Sequence, residues 1–229
     1  DEQIVVTLTT ENYIKRSLAL EYKRQGRGGK GRRGMATREE DVIEHLVIAS
    51  THDYLLFFTN KGRVFRLKAY EVPATGLNAK GVAIVNLLQL QPEEKVSALI
   101  RVSKSEENGF LIMATIKGVV KKTSYDQYKN VRNSGLIAIN LDDGDELKWI
   151  RTSSGENEVV ISTSLGQAIR FHEKEVRPMG RVSRGVRGIR LRPHDYVIGM
   201  DIVHEDSNIF VISELGYGKR TKVAQFTTH

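Results

Sequence analysis

Asn60-Lys61-Gly62-Arg63-Val64-Phe65-Arg66 places a turn residue, Gly62, between the apolar run Tyr54 to Phe58 and a stretch that ends in a cation. A turn flanked by β-branched and aromatic residues is the signature of a β-hairpin. The pattern recurs in Thr10-Glu11-Asn12-Tyr13-Ile14-Lys15-Arg16, Ile116-Lys117-Gly118-Val119-Val120-Lys121-Lys122, Ser164-Leu165-Gly166-Gln167-Ala168-Ile169-Arg170 and Glu214-Leu215-Gly216-Tyr217-Gly218-Lys219-Arg220. The turn residues 12, 62, 118, 166 and 216 lie 50, 56, 48 and 50 positions apart. Asn12 fits the glycine column, because Asn is the residue after glycine that best tolerates a left-handed conformation.

Outward from the hairpins, each later one is preceded by an apolar run: Leu46 to Ala49 with Tyr54 to Phe58, Phe110 to Ala114, Val159 to Ile161 and Ile209 to Ile212. Short apolar runs bounded by turns suit inner strands buried on both faces. After each of the first four hairpins comes a glycine-bearing loop and then an acidic turn: Glu39-Glu40-Asp41, Glu93-Glu94, Asp142-Asp143-Gly144-Asp145 and His194-Asp195. Asp41, Glu94, Asp145 and Asp195 are spaced by 53, 51 and 50 residues, so two independent ladders agree in period. Repeats of this length mark propeller-like arrays, in which one unit cannot bury both of its faces alone. The expected fold is all-β, a β-propeller or β-pinwheel of four-stranded blades. Approximate repeats are 1–45, 46–100, 101–151, 152–203 and a partial 204–229, with helical character confined to pieces such as Ser17 to Tyr22 and Ser124 to Tyr128. The chain stops at Phe226-Thr227-Thr228-His229, where the loop of a fifth unit is due.

Length and composition narrow the function. The 229 residues carry a net charge of +7, which favours a polyanionic partner without separating nucleic acid from an acidic membrane. The absence of cysteine excludes disulfides and thiolate metal sites and points to a reducing compartment. No apolar run approaches the ~20 residues that span a bilayer, and Asp1-Glu2-Gln3 opens no signal peptide, so a cytoplasmic domain is expected.

One loop concentrates the charge. From Lys23 to Arg33, six of eleven residues are cationic and four are glycine, which gives anion-binding groups and backbone freedom with nothing to bury. Gly26-x-Gly28-x-x-Gly31 matches the dinucleotide fingerprint by letter, but no strand precedes it and no helix follows. A phosphate-binding Walker loop also fails, because Gly31 follows Lys30 where Ser or Thr is required.

Gln25-Gly26-Arg27-Gly28-Gly29-Lys30-Gly31 resembles the GyrA box of the C-terminal domain of the DNA gyrase A subunit, with Gly26 standing where that family has a cation. Ala49 to Asp53, Asn60 to Val64, Ala83 to Leu88, Gly185 to Ile189 and Gly216 to Thr221 are similar to the same family, so the resemblance covers the whole chain. It implies a usually six-bladed β-pinwheel that bends duplex DNA around a basic rim in the positive sense. It implies no cofactor and no catalytic residue here, since strand breakage and ATP hydrolysis belong to other parts of an A2B2 holoenzyme. The implied partners are double-stranded DNA, the rest of the gyrase A subunit and the gyrase B subunit, and the isolated domain is expected to be monomeric. The paralogous subunit of topoisomerase IV typically lacks an intact box, so the box favours gyrase.

The residues carry a mechanism beside the resemblance. Cations just after each turn, Lys15, Arg16, Arg63, Arg66, Lys121, Lys122, Arg170, Lys219 and Arg220, are expected to form an arc on the rim. Wrapping a stiff polyanion requires phosphate contacts spread along the bend, and about ten of them predict a slope near −9 in log K against log salt. Arg24, Gln25, Arg27, Gly28, Gly29, Lys30, Gly31, Arg32 and Arg33 are expected to hold one DNA arm, with Arg27 and Lys30 foremost. With no recognition helix, binding should be largely independent of sequence. The six histidines show no metal-ligand spacing, His52-Asp53 reads as a turn pair, and Tyr13, Phe65 and Tyr217 read as packing residues. The acidic turns lack a calcium-loop pattern and read as turn formers that keep DNA from the opposite edge. A protein-interaction propeller whose charge serves solubility is the rival from another class.

Overall fold

The structure, a computed structural model, describes residues 1–22, 41–103 and 108–228. It is all-β, with antiparallel strands β1 (Gln3–Thr9), β2 (Tyr13–Leu18), β3 (Ile43–Ser50), β4 (Tyr54–Thr59), β5 (Arg63–Lys68), β6 (Val82–Ala83), β7 (Val96–Val102), β8 (Phe110–Thr115), β9 (Val119–Ser124), β10 (Leu136–Ile137), β11 (Leu147–Ser153), β12 (Glu158–Thr163), β13 (Ala168–His172), β14 (Val186–Arg187), β15 (Val197–Val203), β16 (Asn208–Ile212) and β17 (Gly218–Lys222). Short 3-10 turns such as Ala19–Glu21 and Tyr125–Tyr128 follow the hairpins.

The strands form sheets β3-β1-β2-β6, β7-β4-β5-β10, β11-β8-β9-β14, β15-β12-β13 and β16-β17. Two features differ from the repeats expected at 45/46, 100/101 and 151/152. Those boundaries fall inside β3, β7 and β11, because the strand after each acidic turn pairs back onto the hairpin before it. The fourth strand of a sheet comes from the next repeat: β6 pairs with β2, β10 with β5, and β14 with β9. A hairpin alone is marginal in water, and this swap closes its exposed edge.

The hairpin turns explain the glycine column. Asn12, Gly62, Gly118, Gly166 and Gly216 all adopt φ between 62° and 84°, the left-handed region that side chains other than Asn tolerate poorly. Three residues earlier stands a hydroxyl, Thr9, Thr59, Thr115, Thr163 or Ser213. Its oxygen accepts the backbone N–H four residues on, at 3.1–3.2 Å. In the first four sheets a register shift falls at that threonine. Such a bulge re-aims one side chain, here toward the acidic turn.

By contact density the described residues divide into two units, residues 1–103 with Asn130–Ala138, and 108–129 with 139–228. In the first, Ile4, Val6, Leu8, Ile14, Leu55, Phe57, Phe65, Ile84 and Leu99 form the core. In the second, Ile112, Ala114, Val120, Val159, Ile161, Phe171, Ile189, Val197 and Met200 do so. Burying each large aliphatic or aromatic side chain stabilises by about 1.5–3 kcal/mol relative to exposure.

Candidate nucleic-acid interface

The acidic turns brace the hairpins from below. Asp41 Oδ1 accepts from the Thr10 hydroxyl and the Glu11 amide, both at 3.0 Å, and Asp145 Oδ1 accepts from the Lys117 amide at 3.0 Å. Asp195 Oδ1 accepts from the Ser164 hydroxyl at 2.8 Å and the Leu165 amide at 3.0 Å. Glu94, one methylene longer, takes the Thr59 hydroxyl and the Arg63 guanidinium, each at 2.7 Å. Burial works to raise the Asp41 carboxyl, yet the Glu11 amide, the threonine hydroxyls and Lys80 together hold it below the usual carboxylate range. The same contest, with Thr163, Leu165, Ser164 and Tyr196 as donors, ends with Asp195 lowered. These carboxylates are the turn formers their spacing predicts.

The hairpin cations correct the expectation of an exposed arc. Lys15 is 0 % exposed, Lys121 0 %, Lys122 3 % and Arg170 7 %. The reason lies in the strand swap: three and four residues beyond the turn, a side chain already lies under the connector arriving from the next repeat. Lys15 Nζ donates to the Gly76 and Leu77 carbonyls at 3.1 and 2.6 Å, and Arg16 Nε donates to the Val72 carbonyl at 2.6 Å. Lys121 Nζ donates to the Arg181 carbonyl. Lys122 meets the Glu173 carboxylate at 3.1 Å and also donates to its carbonyl at 3.2 Å. Arg170 pairs with Glu158 at 2.5 Å and donates to the Val223 carbonyl at 3.2 Å. Lys15, Arg16, Lys121, Lys122 and Arg170 therefore tie one repeat to the next.

The remaining hairpin cations divide. Arg63 is held by Glu94, and Arg66 lies 3.3 Å over the Tyr54 ring, which also takes Lys68 at 3.5 Å. Lys219 and Arg220 are exposed. Of the expected packing aromatics, Phe65 is buried and Tyr13 half-buried beneath Lys80, whereas Tyr217 is exposed. Asp53 closes the His52 turn by accepting from the Ser50 amide at 2.8 Å. The loop positions Arg24, Gln25, Arg27, Gly28, Gly29, Lys30, Gly31, Arg32 and Arg33 lie outside the described residues.

Among the described residues, a dense run of exposed positive charge sits on a connector. Between Glu175 and Asp195 the sequence holds six arginines and no acid: Arg177, Arg181, Arg184, Arg187, Arg190 and Arg192. Five of them are exposed, and Arg181 is half-buried. The run was legible as a block of like charge; the hairpin pattern, by accounting for cations of its own, hides it.

Comparison with known proteins decides the family. The family described as the DNA gyrase C-terminal domain, beta-propeller, matches residues 3–50, 53–103, 109–154, 157–204 and 207–228.

The chain belongs to the DNA gyrase C-terminal domain family.

Its repeats break after β3, β7, β11 and β15, each the strand that pairs back onto the hairpin before it. The DNA gyrase A subunit of Staphylococcus aureus (strain NCTC 8325 / PS 47) is 46 % identical over 229 residues, covering 99 % of this chain and 26 % of that protein. The chain thus spans about a quarter of the length of the curated relatives it matches. Among solved structures, the C-terminal domain of DNA topoisomerase IV superposes with TM-score 0.83 at 30 % identity, covering 100 % of this chain and 70 % of that one. A DNA gyrase A C-terminal domain gives TM-score 0.78 at 29 % identity over 99 % and 73 % of the two chains. No helix among the described residues is long and apolar enough to cross a membrane.

Proposed function

We propose that this chain is the non-catalytic DNA-binding and DNA-wrapping domain of a DNA gyrase A subunit. It bends duplex DNA in the positive sense so that the complete enzyme, with the gyrase B subunit, introduces negative supercoils in the bacterial cytoplasm. The observation that carries the reading is the family match across five repeats in a chain that also contains the box Gln25 to Gly31. Excess positive charge supports it: net +7, with arginine concentrated on exposed connector segments. The buried cations named above are left out of the DNA contact set, which reduces the salt slope expected from the hairpins alone. The remaining proposed contacts are the box residues and the connector arginines.

A topoisomerase IV subunit is the second reading, favoured by the superposition on that enzyme's C-terminal domain. The box sequence and the 46 % identity to the gyrase A subunit support the first. Replacing Arg27, Lys30, Arg32 and Arg33 with alanine separates them. The gyrase reading expects duplex affinity to survive largely intact, while the linking-number shift of nicked circles sealed around the chain disappears. Equal shifts in parent and variant contradict the role given to the box.

A further inference from the structure

We propose that residues 177–192 form a preformed track for the phosphate backbone of duplex DNA, made of residues other than those of the box. The inference rests on the DNA-binding reading and assigns it to particular side chains.

The charge of this segment is largely unneutralised. Arg177, Arg187, Arg190 and Arg192 are exposed and form no ion pair among the described residues; Arg184 pairs with Asp142 at 2.5 Å and stays 68 % exposed. Two other described connectors are poor in charge by comparison. The segment 73–81 carries Lys80 alone, stacked on Tyr13, and 129–135 carries Lys129 and Arg132. All six cations of the run are arginine, whose planar fork matches two phosphate oxygens at once.

The backbone of the segment is held in place. The Met179 amide donates to the Lys122 carbonyl at 2.8 Å, and the Gly188 amide to the Gly118 carbonyl at 2.8 Å. Between them, Asn140 donates its amide to Ser183 O and its side-chain Nδ2 to Val182 O. Val186 and Arg187 pair with Val120 and Val119, and Ile189 is buried in the core. Two glycines set the close approach. A Cβ at Gly185 would stand 2.6 Å from the Val120 carbonyl oxygen, and one at Gly188 2.2 Å from Val120 Cγ2. The arginines thus project from backbone that is already fixed, so binding orders little more than the side chains.

The composition of the segment favours duplex over single strands. From His172 to Asp195 there is no Phe, Tyr or Trp, so the stacking platform that single-stranded nucleic acid uses is missing. From Arg184 to Arg192 the chain reaches at most about 29 Å, less than the ~34 Å of one helical turn, so the grip covers a few phosphates on one side.

The test is Arg184→Gln/Arg187→Gln/Arg190→Gln/Arg192→Gln in the 229-residue chain, titrated with mixed-sequence duplex between about 50 and 200 mM salt. At about 0.9 per phosphate, the slope of log K against log salt should become shallower by 3 to 4. The four Arg→Lys replacements should keep the parental slope to within about one contact. A control variant, Lys61→Gln/Lys95→Gln/Lys117→Gln/Lys148→Gln, removes equal charge from exposed positions elsewhere and should do the same. An unchanged slope in the arginine variant, or an equal loss in the control, overturns the track while leaving the DNA-binding reading in place. A loss confined to single-stranded DNA also overturns it. Absence of duplex binding by the parent overturns both.

Discussion

Lys122 and Glu173 face each other with almost no access to water, and the carboxylate also accepts the Ser153 hydroxyl at 2.7 Å and the Gly155 and Asn157 amides at 3.0 and 2.7 Å. Removing one partner of such a pair leaves an uncompensated buried charge, so Glu173→Ala should destabilise by about 3–5 kcal/mol in urea unfolding. Adding Lys122→Met should recover much of that loss, since an apolar replacement leaves no charge to desolvate. Lys121 gives a pH prediction. Burial, with the nearby Arg181 charge, brings its ammonium down to about 7, so between there and its ordinary value the unfolded chain binds the extra proton. Stability contributed by this site therefore rises with pH from about 7 to about 10.5, and that increment should be absent from melting curves of Lys121→Met. The lowered Asp41 and Asp195 act at the acid end. Their contribution is complete above the ordinary carboxylate value and is lost as pH falls through their lower folded values, so Asp41→Asn should flatten the acid limb of the stability profile.

At the scale of the element, the swapped strand and the hairpin turn make different demands on glycine. Gly188→Ala drives a methyl group into Val120, and overpacking of this kind should cost about 1–3 kcal/mol while loosening β14. Gly216→Ala meets no atom within 4 Å, so its cost is the left-handed backbone alone, about 1–2 kcal/mol. Thermal melts of the two variants, with hydrogen exchange at Gly188 and Ile189, check the difference. The turns were legible because Gly and Asn adopt the left-handed conformation at least cost, and one or the other stands at 12, 62, 118, 166 and 216. The swap was not, because β6, β10 and β14 are two residues long, too short to carry a periodic pattern. Missing the swap misplaced the cations. Lys15 and Arg170 look like strand-end charges until Gly76, Leu77 and Val223 arrive from another repeat to cover them.

For the whole molecule, the repeat divides its basic residues between two tasks. Among the described residues, Lys15, Arg16, Lys121, Lys122 and Arg170 on the hairpins satisfy carbonyls of the next repeat, and the arginines of the connector 177–192 stay largely in water. A surface of that kind binds a polyanion through spaced phosphate contacts, and spacing along a curved path is what bending a stiff duplex requires. Both the all-β fold and the family were legible from the hairpin ladder and the box, whereas the burial of Lys15, Lys121, Lys122 and Arg170 became visible only in the structure. The central claim, that this chain wraps DNA with a positive sense, is tested most directly by sealing nicked circular plasmid around it and measuring the linking number after the protein is removed. The account predicts a positive shift that grows with protein until saturation; circles sealed with and without the chain at the same linking number would contradict it.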